Sequence, residues 1–340
     1  MCLSHVRKIF LKLFVAAATE NTLEKMKEEE LRAKFLGSFL GSAVGDALGA
    51  PWEGRMMPRN EDIVLVANNM QQLIYTDDTH MTIGVAQSLI ENKGFDGKHM
   101  AETFVRNYES EPWRGYGPGP PRVFHMIKNG EAWDKAAEKL YAGGSWGNGA
   151  AMRVAPVGLL YSHHPQMLRH IAYTSSHITH SHELGKEGAA LQAYAVALAL
   201  NTPSNEEIQA ETFLSRLRDF VRHPVYQQKI AQVAELLTVQ DKTKVVSALG
   251  NGIEAPRSVP TAIYCFLKHP RSLKDAIIYA ISLGGDTDTI AAMVGAISGA
   301  YLGEDAIPRQ WRERLENKDH IESLAEELWR IAVSLIRSRD

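Results

Sequence analysis

The sequence predicts an all-α protein, and three observations predict it. From Asn21 onward, apolar residues recur at helical spacing almost throughout. Alternating runs of period two are nearly absent, and the best strand candidate, Glu61–Val66 (EDIVLV), is short. No tandem repeat, linker or low-complexity stretch divides the chain. Residues 28–340 are therefore expected to form one compact helical domain behind an N-terminal extension of residues 1–27.

The elements follow in order. The stretch from Asn21 to Pro51 opens with an Asn/Thr start and early acids, carries a long face of small residues, and is stopped by Pro51. DDTHMTIGVAQSLIEN from Asp77 and GKHMAETFVRNYESEP from Gly97 are the next helices, the second ended by Pro112. WRGYGPGPP, Trp113 to Pro121, reads as a loop. Helical patterns resume near Arg122 and Glu131, and again at His182, Asn205, Pro224, Val259, Ser272, Thr289 and His320.

Gross composition narrows the function. The chain has 340 residues and a net charge of −3, so no positive surplus exists to neutralise a phosphate backbone, and direct nucleic-acid binding is not expected. Two cysteines, Cys2 and Cys265, exclude a secreted disulfide framework and point to a reducing compartment, cytoplasmic or nuclear. The N-terminus has Arg7, Lys8 and Lys12, no acid before Glu20, and Leu3, Val6, Ile9, Phe10, Leu13 and Phe14 at helical spacing. That character fits a mitochondrial transit peptide; the alternative is a disordered or lightly docked extension. No segment is long and apolar enough to span a membrane, and with no coiled-coil pattern a monomer is the default.

Two acidic clusters carry the chemistry. Thr76-Asp77-Asp78 and Asp286-Thr287-Asp288-Thr289 each crowd carboxylates and hydroxyls into a few residues and run into a helix. One alone reads as an N-cap with acids facing the helix dipole. Two suggest convergence, because buried unpaired carboxylates are costly and a hard divalent cation, wanting oxygen ligands, would relieve that cost. Gly37, Gly41, Gly45 and Gly49 make a smooth helical stripe that reads as close helix packing. At its end, Asp46 and Glu53 flank a Gly-Ala-Pro break, placing Glu53 in a loop as a mobile ligand or proton carrier. GGSWGNGAAMRVAPVG, Gly143 to Gly158, is a glycine loop expected to enter an apolar helix and offer an anion site, with Ser145, Trp146 and Asn148 beside it. In HITHSH, one of His177, His180 and His182 is expected to face a ligand; zinc would need further ligands that the pattern lacks.

Taken together, GSAVGDALGAPWE, YTDDTHMT, RGYGPG, SWGNGAAMR, THSHELG, NGIEAPRSVPTAIYCFL and LGGDTDTIAAMVGAISGAYLG resemble the ADP-ribosylglycohydrolase family, in order, from Leu31 to Leu335. The glycine loop and SVPTAIYCFL look most like its ADP-ribosylhydrolase 3 subgroup, although Trp146 stands where a tyrosine is typical and the N-terminal extension is no family feature. The resemblance implies an orthogonal helical bundle and two Mg²⁺ ions, with Mn²⁺ as an alternative. Thr76, Asp77 and Asp78 would hold one ion, Asp286 and Thr289 the other, with Asp288 bridging and Glu53 on a flap. Gly115, Ser145, Gly147 and Asn148 would hold the diphosphate and ribose of ADP-ribose, and Trp146 and His180 would line the cleft. The implied activity is release of ADP-ribose from modified proteins, O-linked to serine or in poly(ADP-ribose), linking the chain to DNA damage signalling.

Cleavage at the ribose anomeric carbon should pass through an oxocarbenium-like state. Glu53 is then the candidate proton donor and Asp286 the candidate base, roles that can be exchanged. Alternatives are an arginine-specific hydrolase and a non-catalytic ADP-ribose-binding or crystallin-like protein on the same fold. An isoprenoid synthase is disfavoured, because Thr79-His80-Met81 follows Asp78 where DDxxD spacing needs another aspartate.

Overall fold

The computed structural model describes residues 27–337; the transit-peptide expectation lies outside them. It contains seventeen α-helices and, among the described residues, no strand, only the isolated bridges Leu73–Leu315 and Gly147–Glu254. After α1 (residues 27–49) and a 3-10 turn at Ala50–Trp52 come α2 Asn60–Asn69, α3 Asp77–Glu91, α4 Gly97–Ser110, α5 Gly119–Lys128 and α6 Ala136–Leu140. Next are α7 Ala155–Leu160, α8 Pro165–His177, α9 Glu183–Leu200, α10 Ala210–Phe220, α11 Pro224–Leu236 and α12 Lys242–Leu249. The chain ends with α13 Ala255–Lys268, α14 Leu273–Ser282, α15 Thr287–Leu302, α16 Arg309–Arg314 and α17 Lys318–Arg337. No described helix is long and apolar enough to cross a membrane.

The all-α expectation holds, with local corrections. EDIVLV is not a strand but lies in α2, because its buried residues Ile63 and Ala67 fall four apart, on one helical face, while Glu61 and Asp62 suit the first turn. The loop from Trp113 ends sooner than Pro121, since α5 starts at Gly119 and its prolines occupy the first turn, where a missing N–H costs nothing. Helices α8, α12 and α16 escaped the pattern reading; α12 and α16 are short, at eight and six residues.

Helices α9 and α15 form the centre. Every residue from Thr287 to Tyr301 is buried, as is nearly all of α9 beyond its first turn. Both are apolar around the whole circumference, the signature of a helix enclosed by others. They pack on each other and on α13 and α7, with α14 against α15 and α8 against α9.

The glycine stripe sets the tightest contact. Gly37, Gly41, Gly45 and Gly49 of α1 face, in turn, Gly299, Gly295, Ala291 and Asp288 of α15, and a Cβ on any of the four would collide with the backbone opposite. The hydroxyl of Ser38 donates to the Ala296 carbonyl at 2.9 Å, and that of Thr287 to the Gly49 carbonyl at 2.9 Å. The two helices therefore meet backbone to backbone, with no side chain between them to take up slack.

Replacing Gly45 by alanine forces a methyl against the Ala291 backbone and should destabilise the protein by about 1–3 kcal/mol. Gly117→Ala, in open space, should stay within about 0.5 kcal/mol of wild type. Urea unfolding of the two variants checks both values.

Candidate metal-dependent active site

A cleft of about 290 Å³ opens where the starts of α3 and α15 meet. At the first, Thr76 is the N-cap and accepts from the Asp78 amide at 3.4 Å, with Asp77 and Asp78 in the opening turn. At the second, Asp286 precedes Thr287, and Asp288 accepts from the Thr289 amide at 2.8 Å. The Thr289 hydroxyl donates to Asp78 Oδ2 at 3.3 Å and joins the two helix starts. Distant in sequence, the clusters thus share one floor, as their helix-start positions led us to expect.

Glu53 reaches the same place from the end of the 3-10 turn, and its carboxylate, with those of Asp286 and Asp288, presents oxygens within 4.8 Å of one another. Its loop is pinned on α15's approach: the Gly54 amide donates to the Gly285 carbonyl at 2.9 Å, and the Gly285 amide returns a bond to the Arg55 carbonyl at 3.1 Å. Gly285 is at φ +79° with Asn251 packed where a Cβ would lie, so this turn requires glycine.

Crowding governs the electrostatics. Burial, then the charges of Asp46 and Asp288, push Asp77 up to about 8. Burial and the neighbouring carboxylates raise Asp78 well above its usual range, and burial with Asp288 raises Asp286 likewise. For Glu53, exposed to solvent, the Asp288 charge is the main cause of a raised value. Asp78 Oδ1 is buried without a hydrogen-bond partner. Several carboxylates taken from water without an ion pair to any described arginine or lysine, one oxygen orphaned, are what a hard divalent cation with oxygen ligands fits.

Two loops form the walls. Gly115, at φ +86°, follows Arg114, whose guanidinium donates to the Tyr75 carbonyl at 3.1 Å and to both Glu316 oxygens at 2.7 and 3.1 Å. Arg114 so ties this wall to the residue before Thr76. On the other wall, Asn148 donates from its amide to the Ile253 carbonyl at 2.8 Å, and its side chain donates to Asp286. Ser145, Gly147, Asn148 and Gly149 line the cleft.

Trp146 departs from expectation. It is not among the cleft-lining residues; it is about half exposed, and its ring lies 6.3 Å from that of His182. Its carbonyl accepts from the Ala255 amide at 3.0 Å while Gly147 bridges Glu254, so this part of the loop is held against the start of α13. The helix expected straight after the glycine loop begins only at Ala155 and is a single short element, so the residues lining the cleft there belong to the loop and not to a helix end. The three histidines take separate places. His180 is buried and lines the cleft, and burial together with Arg153 lowers it to about 3, leaving it neutral. His182 caps α9 by accepting from the Leu184 amide, and His177 pairs with Glu138 at 3.0 Å.

Pattern reading gave no role to Asp46, which is completely buried beneath α3, or to Arg153, a buried cleft-lining guanidinium stacked 4.6 Å from Phe104. A larger cavity of about 610 Å³ lies elsewhere, lined by Leu31, Phe35, Leu159 and Met167 among others, and among the described residues no carboxylate lines it.

An acidic floor within a helical enclosure marks this cleft as a candidate active site, and sequence comparison gives the class of enzyme. Residues 27–335 match the profile of the ADP-ribosylglycohydrolase family, and the chain belongs to that family of hydrolases. It is 41% identical to mouse ADP-ribosylhydrolase ARH3 over 290 residues, covering 77% of this chain and 78% of that protein. Against the chicken ADP-ribosylhydrolase ARH3 it is 36% identical, covering 87% and 92%. A solved structure titled "ADP-ribosylglycohydrolase-related protein complex" superposes with a TM-score of 0.70 at 27% identity, covering 89% of this chain and 99% of that one.

The crowded acids set a pH dependence. Without metal, folded Asp77 keeps its proton up to about pH 8, whereas the unfolded chain releases it near pH 4. The folded state then holds more protons in that window, so stability should fall as pH rises from about 4 to about 8. Thermal melts in EDTA should show this decline, and excess Mg²⁺ should flatten it.

Proposed function

We propose that the protein is a Mg²⁺-dependent hydrolase that removes ADP-ribose from modified proteins, with O-linked ADP-ribosyl-serine and poly(ADP-ribose) as its preferred substrates. The observation that carries this reading is the meeting of the α3 and α15 starts beneath two amide-rich loops. The similarity to the ARH3 proteins supports the substrate class. Thr76, Asp77, Asp78, Asp286, Asp288 and Thr289 would hold the ions. Bound there, the metal pair would offset the acids' charge and fix the hydroxyls of the ribose to be released.

The protein's own groups divide the remaining work. Gly115, Gly117, Gly119 and Gly149 line the cleft, and N–H groups of such concave glycine loops would suit a diphosphate. Neutral His180 can hydrogen-bond the ligand without adding charge. Glu53, on the solvent side, holds a proton more tightly than an ordinary glutamate because Asp288 faces it, which suits a donor to the departing serine oxygen. Asn148 donates to Asp286 and would hold its carboxylate in place to take a proton from the attacking water.

Release of ADP-ribose from serine- and arginine-linked peptides tests this reading. The serine-linked peptide should turn over at least tenfold faster, EDTA should abolish release, and Mg²⁺ should restore it. Asp77→Ala or Asp288→Ala should reduce turnover below detection, and Glu53→Gln by about 10²–10⁴-fold. Turnover undiminished by EDTA, or faster on arginine, contradicts the assignment.

A further inference from the structure

Asp46 lies in α1, at 0% exposure, and its carboxylate gathers the backbone and side-chain donors of two threonines of α3. Oδ1 accepts from the Thr76 hydroxyl at 2.7 Å and the Thr76 amide at 3.1 Å. Oδ2 accepts from the Thr79 hydroxyl at 2.6 Å, the Thr79 amide at 3.0 Å and the Thr76 amide at 3.0 Å. An aspartate thirty residues away thus does for the opening turn of α3 what a local cap ordinarily does.

The consequence reaches the acids. A hydroxyl carries one proton. That of Thr76 lies closer to Asp46, at 2.7 Å, than to Asp78, at 3.2 Å. With its proton committed to Asp46, the Thr76 oxygen turns its lone pairs away from α1, as a cation ligand must. The same carboxylate fixes the height and rotation of the turn that carries Asp77 and Asp78. The Gly45–Ala291 contact beside it leaves α1 no room to shift. We infer that Asp46 is a positioning residue for the metal site, setting the donor direction of Thr76 and the placement of the Asp77–Asp78 turn; this rests on the metal-dependent reading above. Outer partners of this kind usually govern metal affinity by one to two orders of magnitude.

Asp46→Asn keeps the shape but turns an amide NH₂ towards donors. Thr79→Val removes one donor to Asp46 at a residue that does not line the cleft, and Thr79→Ser retains the hydroxyl. Calorimetric titration of the metal-free proteins with MgCl₂ should give a dissociation constant about 10–100-fold weaker for Asp46→Asn. Thr79→Val should be weakened several-fold and Thr79→Ser should match wild type. Paired melts separate positioning from stability alone: the Mg²⁺-induced rise in Tm should shrink in Asp46→Asn and Thr79→Val, beyond any lowering of the metal-free Tm. If Asp46→Asn does not fold, Thr79→Val decides. Variants that melt earlier yet bind Mg²⁺ with wild-type affinity would overturn the positioning role. A wild-type protein with no Mg²⁺ binding would overturn the metal-dependent reading, and this inference with it.

Discussion

The contact between α1 and α15 is the constraint on which the site depends. With glycine at four successive turns of α1, the two backbones approach as closely as peptide groups allow. That closeness puts Gly49 against Asp288 and brings Asp46, one turn earlier, beneath the start of α3. A larger residue in the stripe would push the helices apart and separate the carboxylates by a comparable distance. The site has inherited its precision from the least compressible part of the core.

That precision comes with an electrostatic cost. Asp46, Asp78, Asp286 and Asp288 are each more than nine-tenths buried, and no arginine or lysine forms an ion pair with any of them among the described residues. Elsewhere the protein pairs its buried charges in the ordinary way, as Arg169 does with Glu187 and Arg114 with Glu316. The contrast marks the cleft as a place where stability is given up for function, a pattern common to catalytic centres.

Much of this was legible in the sequence because the informative residues are local. Helical periodicity gave the fold class, and the four-residue glycine repeat announced a close helix contact. The acidic clusters declared themselves because each sits at a helix start, where acid-rich and threonine-rich spacing is conspicuous. What stayed hidden depends on relations between segments. EDIVLV looked like a strand through its β-branched residues, but burial selects Ile63 and Ala67. Trp146 reads as a cleft residue until the fold sets its ring, half exposed, beside His182. Asp46 has no local partner at all, since its threonines are thirty and thirty-three positions away.

A crystal grown with Mn²⁺ and measured at a wavelength where manganese scatters anomalously tests the shared floor most directly. The predicted result is anomalous density bounded on one side by Asp77 and Asp78 and on the other by Asp286 and Asp288, with Thr76 and Thr289 facing it. Density confined to one helix start, or none between them at saturating Mn²⁺, would contradict a common metal centre.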